Sequence, residues 1–238
     1  MALTEEQIEH YYREGYVVVP GLAPQASVAA VMREAPASLG DDARWRGKTF
    51  QHAEPDQDAK LHRLLVEPSV IEAATDIFGR PPRVFYGMLA VVPPKGGHGL
   101  PWHQDNQYTH LLGGALNIFI ALCTITPDKG ILWVAPKSHL LGRQPFEENV
   151  TTAPGFREAA QEPENGFPLE TMQPGDACIF DRYLMHRSLV NETDEPRYAY
   201  AAQLQAENTR LADTGKRDPM RMLASELRQR WLEKGLLD

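Results

Sequence analysis

The sequence predicts a mainly β fold with flanking helices, and three observations carry that reading. From residue 84 onward, short β-type runs follow one another and are separated by Gly, Pro and Asp: VFYGMLAVV, PWHQDNQYT, LNIFIALCTI, ILWVAP, ACIFDRY and RYAYAAQL. Strands at such intervals suggest a sandwich or barrel rather than βαβ units. Helical patterns are placed instead in an N-terminal flank, about 1–80, and in a C-terminal helix, about 218–235. The chain of 238 residues is long enough for one large hydrophobic core, so a single domain is expected.

The elements can be justified in order. Thr4 with Gln7 three positions on forms a capping-box pattern that starts a helix, and Gly15 stops it. YVVVP reads as a short strand ended by Pro20, and a helix follows near 25–35. Over 67–78 apolar residues recur at helical spacing, with Gly79 and Pro81 as terminators. Residues 142–170 lack periodicity and contain four prolines, which predicts a long surface excursion, either a binding loop or a disordered one. In the tail, Met222, Leu223, Leu227 and Trp231 lie at helical spacing.

Composition excludes several function classes. No apolar run is long enough to span a bilayer. The opening MALTEEQIEH is acidic where a signal peptide needs a basic flank, so the cytoplasm is the expected compartment. A formal charge of −8 with no basic stripe argues against nucleic acid as a partner and says little else. Cys123 and Cys178 are far apart and each sits in an apolar stretch, so both are expected as buried thiols rather than zinc or redox ligands. There is no G-x-S-x-G elbow, and GGHGLP and LLGGAL lack the strand–glycine–helix context of a phosphate loop.

The chemistry concentrates in PWHQDN, residues 101–106. In an extended strand His103 and Asp105 project to one face and Gln104 to the other, which makes a two-ligand edge for a divalent first-row metal. Alone, the pair would equally serve as a histidine hydrogen-bonded to an aspartate. His186, just past the ACIF strand, can supply a third ligand if that strand is the core partner of the one carrying His103. Two histidines and a carboxylate on one face of an octahedral ion leave the opposite face open, as non-haem iron(II) oxygenases require. Eleven residues further, Arg197 enters an apolar run, where a guanidinium must be paired. A carboxylate co-substrate would pair it, and so would Asp181 or Glu195.

Together these pieces resemble the phytanoyl-CoA dioxygenase family of iron(II)- and 2-oxoglutarate-dependent oxygenases. The resemblance runs through LTEEQIEHYYREGYVVVPGL, HGLPWHQDNQYT, TPDKGILWVAPKSH and GDACIFDRYLMHRSLVNETDEPRYA, over most of the chain. It implies a double-stranded β-helix, the cupin-like jelly roll, with its core at about 84–205. It implies His103, Asp105 and His186 as iron(II) ligands, Arg197 for the distal carboxylate of 2-oxoglutarate, and Ser188 as the hydroxyl partner of that carboxylate. Tyr86 and Asn117 are placed on neighbouring strands where related enzymes contact the co-substrate. The implied reaction consumes O2 and 2-oxoglutarate, releases succinate and CO2, and oxidises a small molecule, such as a natural product or amino-acid-like metabolite. A carboxylate at Asp105, where related halogenases carry a small residue, favours hydroxylation or another oxidation such as desaturation.

Other readings remain on the same residues. A cupin-type hydrolase or isomerase could use the triad with zinc or manganese, although it has no need of Arg197 and Ser188. A non-catalytic binding protein could keep the fold. His139 is expected to be structural, while His98 and His110 flank the ligand segment and could meet substrate or solvent. Trp102, Tyr108 and Trp133 are candidates for the pocket wall and equally for the core. Substrate choice is expected from residues 94–110, 142–170 and 205–217.

Overall fold

The computed structural model describes residues 2–38, 46–149, 156–217 and 221–237. Helix α1 (Glu5–Glu14) starts on the expected box: Thr4 Oγ accepts from the Gln7 amide at 3.2 Å, and Gln7 Oε1 accepts from the Thr4 amide at 2.9 Å. Gly15, at φ +88°, closes it in the left-handed region, where a side chain would also collide with the His139 ring. Strand β1 (Tyr16–Val19), helix α2 (Gln25–Ser38), strand β2 (Arg46–Thr49) and helix α3 (Pro68–Phe78) complete the N-terminal flank. Proline opens α3 and Gly79 ends it at φ +66°.

The β region runs through β3 (Arg83–Val92), β4 (Leu111–Leu112), β5 (Ala115–Ala121), β6 (Leu132–Val134), β7 (Phe146–Asn149), β8 (Phe156–Ala159), β9 (Phe167–Pro168), β10 (Ala177–Asp181), β11 (His186–Ser188), β12 (Arg197–Gln205) and β13 (Arg210–Leu211). Six strands form one antiparallel sheet in the order β1-β10-β5-β12-β3-β2, and β11-β6-β9 form a smaller one. The two sheets make the expected jelly roll.

Burial on both faces of the large sheet explains why its strands read as near-continuous apolar runs. One face carries Leu116, Ile118, Ile120, Tyr200 and Leu204 into a core shared with Val70, Ile77, Leu227 and Trp231 of the helices. The alternate residues Phe119, Ala121, Cys178, Phe180 and Ala199 face inward and pack with Ile131, Leu132, Val134 and Leu184. Tyr86, Asn117, Arg197 and Gln203 are among the inward positions that are polar instead. In such a sheet the buried polar residue is the informative one.

Several expectations need correction. The run PWHQDNQYT is not a strand. It touches the small sheet through one bridge, His103 to His186, and then turns into a 3-10 segment, Asp105–Gln107, because the Gln104 and Gln107 side chains cap that turn and compete with pairing. The excursion 142–170 is partly ordered, with β7 paired to β8 and β9 on the small sheet, while residues 150–155 lie outside the described residues. The C-terminal helix, α4 (Ala224–Glu233), begins later than expected. Before it, Met222 accepts from the Val84 amide at 3.0 Å and Leu223 bridges Arg83, so that backbone is spent on strand β3. Residues 218–220 lie outside the described residues. Strand β2 had no sequence signal, and Cys123 is half-buried while Cys178 is buried. Among the described residues no helix is long and apolar enough to cross a membrane.

Trp231 is fully buried and its indole donates to the Pro55 carbonyl at 2.8 Å. Trp231→Ala is expected to cost about 3–5 kcal/mol in a denaturant titration, through the cavity and the orphaned carbonyl. A loss under about 1 kcal/mol would show that α4 is not part of the cooperative core.

Candidate metal centre

The centre begins with a backbone pair. The His103 amide donates to the His186 carbonyl and the His186 amide to the His103 carbonyl, both at 3.0 Å, which sets the two residues opposite each other with ring centroids 4.2 Å apart. Each ring is then fixed by its own chain. Nδ1 of His103 donates to the Pro101 carbonyl at 2.8 Å, and Nδ1 of His186 to the Leu184 carbonyl at 2.9 Å. A carbonyl only accepts, so Nδ1 carries the proton in both and each Nε2 presents a lone pair.

Asp105 completes the set: one ligand atom from each of the three residues lies within 4.8 Å of the other two, and all three are buried. Asp105 Oδ1 stands 3.9 Å from His186 Nε2. Its other oxygen, Oδ2, accepts from Asn117 Nδ2 at 3.1 Å and Gln203 Nε2 at 3.3 Å. The carboxylate is therefore held with one oxygen toward the imidazoles and one toward the sheet.

The electrostatics suit a cation. Burial, and after it the neighbouring His186 ring, push the His103 imidazole down to about 3. His186 is lowered as well, by burial foremost. Burial by itself would raise Asp105, but Arg182, the two imidazoles and the Asn117 hydrogen bond outweigh it and hold the carboxyl below its usual range. The donors are thus two neutral imidazoles and one carboxylate, the forms that bind a metal.

Sequence reasoning did not assign two residues of this centre. Arg182 is buried, with Nη1 3.9 Å from Asp105 Oδ2, and it donates to Asn106 Oδ1 at 3.2 Å, to the Asp105 carbonyl at 2.9 Å and to Gln203 Oε1. Gln203 sits between Asn117 and Tyr86 in register, linking β5 and β3 across β12. Its signal was a glutamine at alternate spacing from Arg197 in an apolar run. Asn117 and Tyr86 are therefore not on adjacent strands, and Asn117 reaches the carboxylate of Asp105.

Arg197, 3 % exposed, has no acidic partner among the described residues. Glu195, one rival partner, instead pairs with Lys129 at 2.8 Å. Arg197 donates to the Gly130 carbonyl at 2.8 Å, its Nε has no acceptor, and burial pushes its pKa down to about 10. Between Gln203 and Arg197 the inward residues of β12 are Ala199 and Ala201, so little side chain stands between them. Ser188 Oγ accepts from the Leu100 amide at 3.2 Å, which leaves its own proton to donate. A buried unpaired guanidinium beyond a His-Asp-His set is what a metal-chelating dicarboxylate requires.

A family comparison decides what this arrangement belongs to: the phytanoyl-CoA dioxygenase (PhyH) family matches residues 11–199. The chain belongs to that family. As a member, it is an iron- and 2-oxoglutarate-dependent oxygenase. Methylphosphonate hydroxylase of Gimesia maris is 25% identical over 208 residues, covering 82% of this chain and 78% of that protein. Ectoine dioxygenase of Bordetella bronchiseptica is 24% identical over 226 residues, covering 82% and 73%. The epimerase SnoN, crystallised with Fe3+, alpha-ketoglutarate and nogalamycin RO, superposes with a TM-score of 0.70 at 23% identity, covering 92% and 93%, and so shares the fold.

The remaining candidates fall into place around this PhyH centre. His139 is structural, with Nε2 3.2 Å from the Tyr12 carbonyl, and His98 is exposed. His110 meets the Tyr183 hydroxyl at 3.0 Å. Trp102 and Trp133 hold Arg187 between them at 4.8 and 4.5 Å, whereas Tyr108 lines a cavity at the centre.

Acid should destabilise the metal-free protein. Free imidazoles titrate near 6.5 and His103 near 3, so between those values the unfolded chain binds protons that the folded chain refuses. Buried His62, pushed down by burial to about 4, acts in the same direction. This stability is whole above about pH 6.5 and drains as pH falls toward about 3, so the unfolding midpoint is expected to drop steadily from about pH 7 to about 4. A midpoint that rises over that range would mean that the imidazoles are charged in the folded state.

Proposed function

We propose that His103, Asp105 and His186 bind iron(II), that Arg197 and Ser188 hold the distal carboxylate of 2-oxoglutarate, and that the enzyme hydroxylates a small molecule. The observation that carries this reading is the pair of buried imidazoles whose Nδ1 protons are committed to backbone carbonyls, leaving both Nε2 atoms unprotonated in a cluster with the Asp105 carboxylate. The unpaired Arg197 supports the second part, and the hydroxylase among the relatives supports the third. Both cysteines are free thiols, which suits the reducing cytoplasm as the proposed compartment.

Bound iron and 2-oxoglutarate would supply the oxidising chemistry with O2, releasing succinate and CO2. What the chain contributes is position. Asn117 and Gln203 restrain Asp105 Oδ2, so Oδ1 is the oxygen free to bind metal. The two neutral imidazoles and the Asp105 carboxylate would hold the metal and supply too few ligands to fill its coordination, which would leave room for co-substrates. Arg197 would clamp the far carboxylate with two parallel hydrogen bonds, and the Ser188 hydroxyl would add a third.

His103→Ala is expected to abolish stoichiometric iron(II) binding and 2-oxoglutarate-dependent succinate release together. Arg197→Met is expected to keep the metal and weaken 2-oxoglutarate by roughly 2–5 kcal/mol, about 10^1.5- to 10^3.5-fold, measured by anaerobic calorimetry. Wild-type affinity for 2-oxoglutarate in Arg197→Met would remove that arginine from the site.

A further inference from the structure

A cavity of about 330 Å³ opens directly on His103 and Asp105, and its wall decides what can approach the metal. Phe85, Tyr86, Met88, Leu100, Tyr108 and Phe156 supply most of it. Phe85 and Tyr86 are adjacent in β3 and would ordinarily face opposite ways. The register of β3 against β12 shifts at this point, with Gln203 opposite Tyr86 and Leu204 opposite Val84, so Phe85 is an extra residue. That bulge brings both rings to the cavity.

The one cation that lines this space among the described residues is already engaged. The Arg182 donors go to Asn106, Gln203, the Asp105 carbonyl and, at 3.4 Å, the Thr109 carbonyl, and its plane lies 4.8 Å from the Phe85 ring centroid. Gln203 is spent too, donating to Asp105 and accepting from Arg182. Tyr86 differs. Among the described residues its hydroxyl meets only the Met88 sulfur, at 3.6 Å, which is a weak acceptor, so the phenol keeps a proton to donate and lone pairs to accept. Burial holds it neutral, with its pKa raised to about 12.

We infer that this cavity takes a neutral, flat, apolar ring substrate bearing one hydroxyl or carbonyl oxygen, and that Tyr86 is the specificity-determining residue that hydrogen-bonds that oxygen. Aromatic walls favour a ring in offset or edge contact. A charged head such as a phosphonate would lose its water and find no uncommitted cation on this wall among the described residues. The volume is at the small end for ligand sites and suits about two fused rings. Tyr86 stands in the cross-strand row with Gln203, which reaches Asp105, so an oxygen held there brings the neighbouring ring carbons to the metal side of the cavity.

The inference rests on the oxygenase reading, and the experiment separates the two. Protein loaded anaerobically with iron(II) is titrated by calorimetry with 2-oxoglutarate and then, in its presence, with 2-naphthol, naphthalene, methylphosphonate or ectoine. The expected result is that 2-naphthol binds more tightly than naphthalene and that methylphosphonate and ectoine do not bind. Tyr86→Phe is expected to weaken 2-naphthol roughly three- to tenfold, more than it changes 2-oxoglutarate, and to bring it level with naphthalene. Equal affinity of 2-naphthol and naphthalene for the wild type, or an unchanged 2-naphthol affinity in Tyr86→Phe, overturns the role of Tyr86. Binding of methylphosphonate or ectoine, or 2-oxoglutarate binding with no 2-naphthol binding, overturns the substrate class. Failure to bind 2-oxoglutarate overturns the oxygenase reading instead, while the naphthol arm still reports on the cavity.

Discussion

The two hydrogen bonds between the backbones of His103 and His186 are the constraint on which the rest of the centre depends. They join residues 83 positions apart in the chain and place two imidazoles side by side before any metal is considered. Because each ring also gives its Nδ1 proton to a carbonyl two residues earlier, its orientation is set by its own stretch of backbone rather than by a separate side chain. A binding edge built on backbone pairing is preorganised, and little rotamer freedom is left to lose when a ligand arrives.

Asp105 is positioned differently, since the chain leaves extended geometry at that residue. Its orientation comes from the opposite sheet, where Asn117 and Gln203 donate to one oxygen, and from Arg182, which grips the Asp105 carbonyl and the side chain of Gln203 together. The small sheet thus presents the imidazoles and the large sheet aims the carboxylate. Relative movement of the sheets would separate the ligands, so the interior packing of Phe119, Phe180, Leu132 and Val134 between them keeps the site in register.

Much of this was legible in the sequence because the signals were local. The box at Thr4, the stop at Gly79 and the apolar runs of β5 and β12 each obey short-range rules, and each element formed where its rule placed it. The three proposed metal ligands were legible through the family pattern, and His186 in particular could not be tied to His103 by spacing alone. What escaped was decided at long range. Gln104 looked like the outward residue of a strand, yet its side chain caps a turn with Gln107 and donates to the Gly142 carbonyl at 2.9 Å. Gln203 is an ordinary polar residue until the register of β12 with β5 and β3 brings it to Asp105, and Arg182 is one until the turn after β10 sets it against the Asp105 carbonyl. The bulge that turns Phe85 inward leaves no mark in VFYGMLAVV.

The two buried guanidiniums then divide the work of the site. Both are 3 % exposed or less, so each gives up most of its hydration when the chain folds. Arg182 recovers through an anion nearby and hydrogen bonds on both edges, and it serves the architecture around Asp105. Arg197 recovers one carbonyl and keeps an unmatched Nε, because the register of β12 fixes it in an interior that offers no acid among the described residues. A charge held in that state favours any dicarboxylate able to reach it, so binding relieves a deficit that folding created. On the role proposed for Arg197, the protein would gain stability as it gains its co-substrate, and the same deficit would disfavour a neutral molecule at that end of the site.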